Sequence, residues 1–319
     1  MSIRVAAIDC GTNSIRLLVT DLDPQTGAES VLTRRMEIVR LGQGVDATGR
    51  LAPEALQRTF AACDDYAAEI RSLGAERIRF VATSATRDAA NRDEFVAGVR
   101  SRLGVEPEVI SGSEEAALSF SGATRAVAAA SGDAESADAG GHPTPYLVVD
   151  IGGGSTEFVL GDREVEAARS VDIGCVRLTE RHLTQDPPTL AQIAAARRDI
   201  DAAIDLAAEQ VPINQAKTLV GVAGSVTTVS AIALGLPEYD RDRVHLSRIS
   251  AETVRQVAGD LLASTHAQRA ANPVIHPGRV DVIGAGALIL AQIVDRLGLA
   301  EVVVSEHDIL DGIALSQLR

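Results

Sequence analysis

Two short segments of this chain repeat one pattern. Asp9-Cys10-Gly11-Thr12-Asn13-Ser14-Ile15-Arg16 and Asp150-Ile151-Gly152-Gly153-Gly154-Ser155-Thr156-Glu157 carry Asp, Gly and Ser at the same offsets. Each copy follows an apolar run, at 5–9 and 146–150, and precedes another, at 15–19 and 156–160. A recurring strand, tight loop and strand indicate a duplicated domain. Small residues at a loop tip let backbone N–H groups point at an anion without obstruction. The hydroxyls of Thr12, Ser14, Ser155 and Thr156 add donors. Taken alone, either loop is equally well a simple tight turn. The second copy favours anion binding, with two loops facing across a cleft and holding a phosphate chain from both sides.

The rest of the chain fits two α/β domains. Its 319 residues suit two domains at about 100–200 residues each. Strand-like runs occupy 5–9, 15–21, 28–40, 78–82 and 108–111, with helical patterns at 53–73 and 91–103. In the 53–73 segment Pro53 lies in the opening turn, and Leu56, Phe60, Cys63, Ala67 and Ile70 recur at steps of three and four before Gly74. Residues 126–145 read AVAAASGDAESADAGGHPTP, with no large apolar side chain after Val127. This composition predicts a flexible insertion. Beyond it, strands are expected at 146–150, 156–160, 218–222 and 302–305, and helices at 189–209, 225–234, 251–264, 285–297 and 308–318.

Composition removes several functions. No apolar run is long enough to span a bilayer, and the N-terminal residues lead almost directly into a strand-like run, so no signal peptide is expected. Cys10, Cys63 and Cys175 are odd in number and far apart, which disfavours a disulfide framework or zinc site and fits a reducing cytoplasm. A formal charge of −14 argues against a nucleic-acid binder, and with no spanning run no membrane partner is expected. It also requires that any anion site concentrate arginine locally. Lys217 is the only lysine. There is no P-loop, no HxxxH metal spacing and no Ser–His–Asp or Cys–His pattern. Gly284-Ala285-Gly286 lacks the third glycine of a dinucleotide fingerprint and reads as close helix packing.

Both loops resemble the phosphate loops of the actin, hexokinase and Hsp70 superfamily. Within it, the chain resembles the exopolyphosphatase and guanosine pentaphosphatase family through DCGTNSIRLLV (9–19), RLGQGVDATGRL (40–51), ATSATRDAANRDEF (82–95), SGSEEA (111–116), VVDIGGGSTEFVLG (148–161), GVAGSVTT (221–228), HPGRVDVIGAGALIL (276–290) and SEHDILDGI (305–313). The resemblance implies two actin-like, ribonuclease H-like α/β domains with a cleft between them. The expected boundaries are 1–128, completed by a C-terminal helix at 306–319, then an insertion at 129–144 and a second domain at 145–305.

The resemblance also implies roles. Glu115 maps to the water-activating glutamate, whereas its neighbour Glu114 is expected to serve only the helix dipole. Arg87, just after a strand end, is the second catalytic candidate. Gly11, Thr12, Asn13, Ser14, Gly152, Gly153, Gly154, Ser155, Thr156, Gly224 and Ser225 are the expected phosphate contacts. Asp150, Glu157 and Asp9 are the expected ligands of Mg²⁺ or Mn²⁺. Arg177, Arg269, His276 and Arg279 are candidates for guiding a longer chain. The expected activity is release of terminal orthophosphate from inorganic polyphosphate. Short chains are favoured, because the longer family members extend the channel with further domains. Guanosine pentaphosphate hydrolysis and a non-catalytic phosphate or nucleotide sensor are the alternatives. The expected assembly is a homodimer.

Overall fold

The computed structural model describes residues 2–130 and 142–318. The chain divides into two compact units, Met1–Gly122 with Ile309–Arg319, and Ala123–Asp308.

The first unit is built on a five-stranded sheet of β1 (Ile3–Cys10), β2 (Ser14–Leu22), β3 (Glu29–Ile38), β4 (Arg77–Ala82) and β5 (Glu108–Val109), ordered β3-β2-β1-β4-β5. The first three strands form an antiparallel meander, and β4 and β5 add in parallel. β1 lies at the centre, and Val5 through Ile8 are fully buried, as a run apolar on both faces requires. The helix Pro53–Leu73 begins with proline in its first turn and ends at Gly74, which is left-handed at φ 70°. Its inner face supplies Leu56, Cys63, Tyr66, Ala67 and Ile70 to the core, and the Tyr66 hydroxyl donates to the Ile15 carbonyl at 3.0 Å.

The last helix, Ile309–Ser316, returns to this unit and covers the other sheet face. Ile309, Leu310, Ile313 and Ala314 pack on Val5, Ala7, Leu18 and Leu22. Asp311 accepts from Arg34 of β3, and Gln317 Nε2 donates to the Ala6 carbonyl at 3.0 Å. Where this helix meets Gly112–Ala130, Gly312 presses on backbone. A Cβ at 312 would lie 2.0 Å from the Leu118 carbonyl oxygen.

The second unit carries a six-stranded sheet of β6 (Tyr146–Ile151), β7 (Thr156–Gly161), β8 (Val165–Val171), β9 (Thr218–Val222), β10 (Arg248–Ser250) and β11 (Glu301–Val304), ordered β10-β11-β9-β6-β7-β8. Read from β8, its meander followed by two parallel strands repeats the order of the first sheet, with β10 added antiparallel at the edge. The duplication visible in two loops thus extends to whole sheets.

Several elements depart from the sequence expectations. Gly112–Ala130 is helical to its end, so residues 126–130 are not linker: alanine-rich sequence is strong helix former as well as spacer. The remaining insertion, 131–141, lies outside the described residues. β8, β10 and the helix Cys175–His182 have no counterpart among those expectations. Gly284-Ala285-Gly286 follows no strand and sits inside the helix Ile283–Leu297. It does pack closely: a Cβ at Gly286 would lie 2.3 Å from Ser225 Oγ. Among the described residues, no helix is long and apolar enough to cross a membrane.

Gly312→Ala should lower unfolding stability by about 1–3 kcal/mol, the usual range for overpacking a close contact. A denaturant titration checks this, and an unchanged midpoint would show that the two helices separate without cost.

Candidate active site

The first loop has a definite peptide orientation. Gly11 N–H donates to the Ser14 carbonyl at 2.9 Å and closes the turn. The segment after β3 then binds the loop's carbonyls. Val39 and Arg40 N–H donate to Asn13 at 3.1 and 2.8 Å, and Gly42 N–H donates to Thr12 at 2.8 Å. Arg40 adopts φ 49° to do so, a left-handed conformation costing a non-glycine residue about 1–2 kcal/mol. With the carbonyls so engaged, the N–H groups of Thr12 and Asn13 find no acceptor among the described residues. They are oriented donors.

The second loop repeats this. Gly152 N–H donates to the Ser155 carbonyl at 3.1 Å. Cys175 N–H then donates to Gly152 at 3.0 Å, Val176 and Arg177 N–H to Gly153 at 2.9 and 3.1 Å, and Arg177 Nε to Gly154 at 2.8 Å. Gly153, Gly154 and Ser155 N–H find no acceptor among the described residues. The approach leaves no room for a side chain at Gly174, where a Cβ would lie 2.4 Å from the Gly153 carbonyl carbon and oxygen. Gly174 is a requirement of this loop that local sequence did not signal.

In the first unit the loop is continuous with the candidate acid–base residues. Thr12 Oγ1 and Ser84 Oγ are 2.9 Å apart and buried. Ser84 opens the short helix Ser84–Asp88, which carries Arg87. Arg87 Nη1 donates to the Ile110 carbonyl at 3.0 Å and to Glu115 Oε2 at 3.1 Å. The helix Gly112–Ala130 separates the two glutamates. The Glu115 side chain is 10% exposed and faces Arg87, while that of Glu114 is 46% exposed and pairs with Arg79 at 2.8 Å. Thr12, Ser84, Arg87 and Glu115 therefore form one string; Ser84 does not stand out from the sequence alone.

The loops differ in charge. In the first, Asp9 lies opposite Arg16 across β1 and β2 and accepts from its Nε and Nη2 at 2.9 and 2.6 Å. In the second, Asp150 lies opposite Glu157 across β6 and β7, both nearly inaccessible, with Ser170 Oγ donating to Glu157 at 2.7 Å. Among the described residues, no cluster of three or more His, Cys, Asp or Glu side chains is arranged to hold an ion. The Asp150–Glu157 pair offers the hard oxygen donors that a divalent ion takes together with phosphate oxygens and water.

Other candidates are distributed differently. β9 runs directly into the helix Ala223–Ala233 through Ala223 at φ 69°. The Arg279 guanidinium lies over Gly224, where a Cβ would be 2.3 Å from its central carbon. Ser225 is buried against Gly286 and the Cys175 thiol. His276 Nδ1 accepts from Gly278 N–H at 3.1 Å. Arg269, a candidate for guiding a longer chain that otherwise reads as a solvated surface cation, is instead 9% exposed and a structural staple. It donates to the Val280 carbonyl at 2.9 Å and Asp186 at 2.9 Å, and to the carbonyls of Leu261 and Ser264. Burial pushes the Cys10 and Cys175 thiols up, and Cys63 up to about 12, so none is a thiolate nucleophile at neutral pH.

Comparison with known proteins agrees with this architecture. Residues 19–319 match the model of the Ppx/GppA phosphatase family. Exopolyphosphatase 2 of Mycobacterium tuberculosis is 50% identical over 324 residues, covering 98% of each chain. A crystal structure of an exopolyphosphatase-like protein superposes with a TM-score of 0.91 at 44% identity, covering 99% of both chains. A Ppx/GppA family member from Aquifex aeolicus gives 0.77 at 28% identity, over 100% of this chain and 98% of that one. The fold is the two-domain actin-like α/β fold expected from the sequence.

Gly174→Ala should reduce any activity that depends on the second loop by at least about 100-fold, the scale on which misplacement of a binding group acts. Gly259→Ala is the control. It stands in the helix Ala251–Ala263, where an added Cβ would meet nothing within 4 Å, and it should raise stability by about 0.5–1 kcal/mol. Equal activity in the two variants would show that the Gly174 contact does not shape the loop.

Proposed function

Because the chain belongs to the Ppx/GppA phosphatase family, we propose that it is an exopolyphosphatase releasing terminal orthophosphate from inorganic polyphosphate. The observation that carries this reading is the outward presentation of loop N–H groups in both units, with Glu115 linked to the first loop through Arg87, Ser84 and Thr12. Identity of 50% over nearly full length with an exopolyphosphatase supports the substrate.

In this reading the loop donors at 11–14 and 152–156 bind oxygens of the phosphate chain. Glu115 accepts a proton from water as the water oxygen attacks the terminal phosphorus. The anhydride P–O bond breaks, its electrons pass to the penultimate phosphate, and orthophosphate leaves with the water oxygen. Arg87 holds Glu115 in place and offers its remaining N–H groups to phosphate oxygens. Gly224 and Ser225, beside Arg279, are further contacts for the chain. Asp150 and Glu157 would hold Mg²⁺ or Mn²⁺, which neutralises phosphate charge when bound. Asp9 enters through its pair with Arg16. The burial of Arg269 removes one cation from the set available to a long chain and supports a preference for short ones. Three free, buried cysteines support a cytoplasmic location.

Phosphate release from tripolyphosphate, long polyphosphate, ATP and guanosine pentaphosphate tests the reading. Polyphosphates should be the best substrates, with tripolyphosphate at least as fast as long chains. Glu115→Gln should lower kcat by about 10²–10⁴-fold with substrate affinity within a few-fold, and Glu114→Gln should stay near wild type. No release from polyphosphate would refute the assignment, and a dead Glu114→Gln with an active Glu115→Gln would reverse the roles. Chelator should abolish turnover, and Asp150→Ala should weaken the metal dependence sharply. Full activity in excess chelator would remove the metal from the mechanism.

A further inference from the structure

Helix N-termini leave N–H groups without intrahelical acceptors, and these commonly face an anion. The helix Cys175–His182 uses them differently. The N–H groups of Cys175, Val176 and Arg177 all donate to carbonyls of the second loop, and the first intrahelical bond is Leu178 N–H to Gly174 at 2.9 Å. Those three donors reach only the first two loop peptides, Gly152 and Gly153. The third, Gly154, is fixed by a side chain: Arg177 Nε at 2.8 Å. This contact lies 23 residues away in sequence. A peptide held by its carbonyl presents its N–H on the opposite side, and the Gly154–Ser155 peptide carries the Ser155 N–H.

We propose that Arg177 is a positioning residue for phosphate binding, acting through the Gly154 carbonyl to orient the Ser155 N–H, rather than a cation that guides the distal polyphosphate chain. The proposal rests on the exopolyphosphatase reading for its substrate but on the loop geometry for its residue. Without the Nε contact the Gly154 peptide is free to rotate, and a donor aimed at phosphate is replaced by a carbonyl oxygen that repels it. The loss falls on the phosphate held by the loop, so it is the same whatever length of chain follows. A guiding cation would behave in the opposite way. It would matter only for chains long enough to reach it, and any positive side chain would restore it.

Lysine separates the two roles, because it retains the charge but has a methylene where arginine has Nε. Arg177→Lys and Arg177→Met should each lower kcat/KM by about 10–100-fold, the effect of losing one charged hydrogen bond at a positioned group. The factor should be equal for tripolyphosphate and long polyphosphate, and the thermal midpoint should stay within a few degrees of wild type. Recovery in Arg177→Lys, a loss confined to long chains, or a loss matched by the unfolded fraction would each overturn the proposal. If Arg177→Met does not fold, Arg177→Lys carries the comparison. Calorimetric binding of tripolyphosphate to the full chain reads the loop apart from turnover. If wild type binds without hydrolysis, the exopolyphosphatase reading fails, and weaker binding by at least about tenfold in Arg177→Lys still supports the role of Arg177. Unchanged binding overturns it.

Discussion

Everything proposed for this protein depends on which way a few peptide groups point. A glycine-rich loop has no preferred face, and without other contacts it would present carbonyls and N–H groups alike. Here the carbonyls are taken by the segment that follows the third strand of each meander: Val39, Arg40 and Gly42 in one unit, Cys175 to Arg177 in the other. The N–H groups are left as donors. The cost appears as the left-handed Arg40 and as a Gly174 that tolerates no Cβ. Strain and close packing beside a loop are what a preorganised anion site requires, since donors already in place need no reorganisation during the reaction.

The duplicated sheets explain why two loops share this device, and the register explains why they differ. A residue near the start of the strand after each loop, Arg16 or Glu157, lies opposite the aspartate one residue before the end of the strand that precedes it. With Arg16 there, Asp9 is neutralised within the first unit. With Glu157 there, Asp150 gains a second carboxylate, a pair suited to a divalent cation. One residue of divergence at matched positions is enough to give the copies different electrostatics on the same backbone.

The loop repeat and the alternation of strands and helices were legible because each depends on local pattern, whereas the choice of Glu115 over Glu114 rested on the resemblance to a family. What escaped notice depends on partners far along the chain. β8 is an edge strand, mostly half-buried and exposed, and its VEAARSV sequence lacks clear alternation. The helix Cys175–His182 is short and is anchored by carbonyls some twenty residues earlier. Ser84 matters through a hydroxyl 72 residues away. Arg269 reads as a surface cation, yet it satisfies carbonyls at the end of one helix and buries its charge against Asp186. No periodicity marks such roles, since a side chain's burial is set by what packs over it.

A chain of net charge −14 that binds a polyanion need not be a contradiction. In the first unit two candidate site carboxylates are paired with guanidinium groups, Asp9 with Arg16 and Glu115 with Arg87. Many of the rest form exposed pairs such as Arg255–Asp295 and Arg248–Glu301, each worth about 0–1 kcal/mol and weakened by salt. Backbone N–H groups carry their partial charge whatever the surrounding residues, and at a few ångströms they act over distances far shorter than the screening length of about 8 Å. On the proposed reading, the sign of the whole molecule governs approach of the substrate at long range, while the grip is set by peptide dipoles fixed in place. Net charge is a guide to the first and not to the second, so selection for an acidic surface leaves such a site intact.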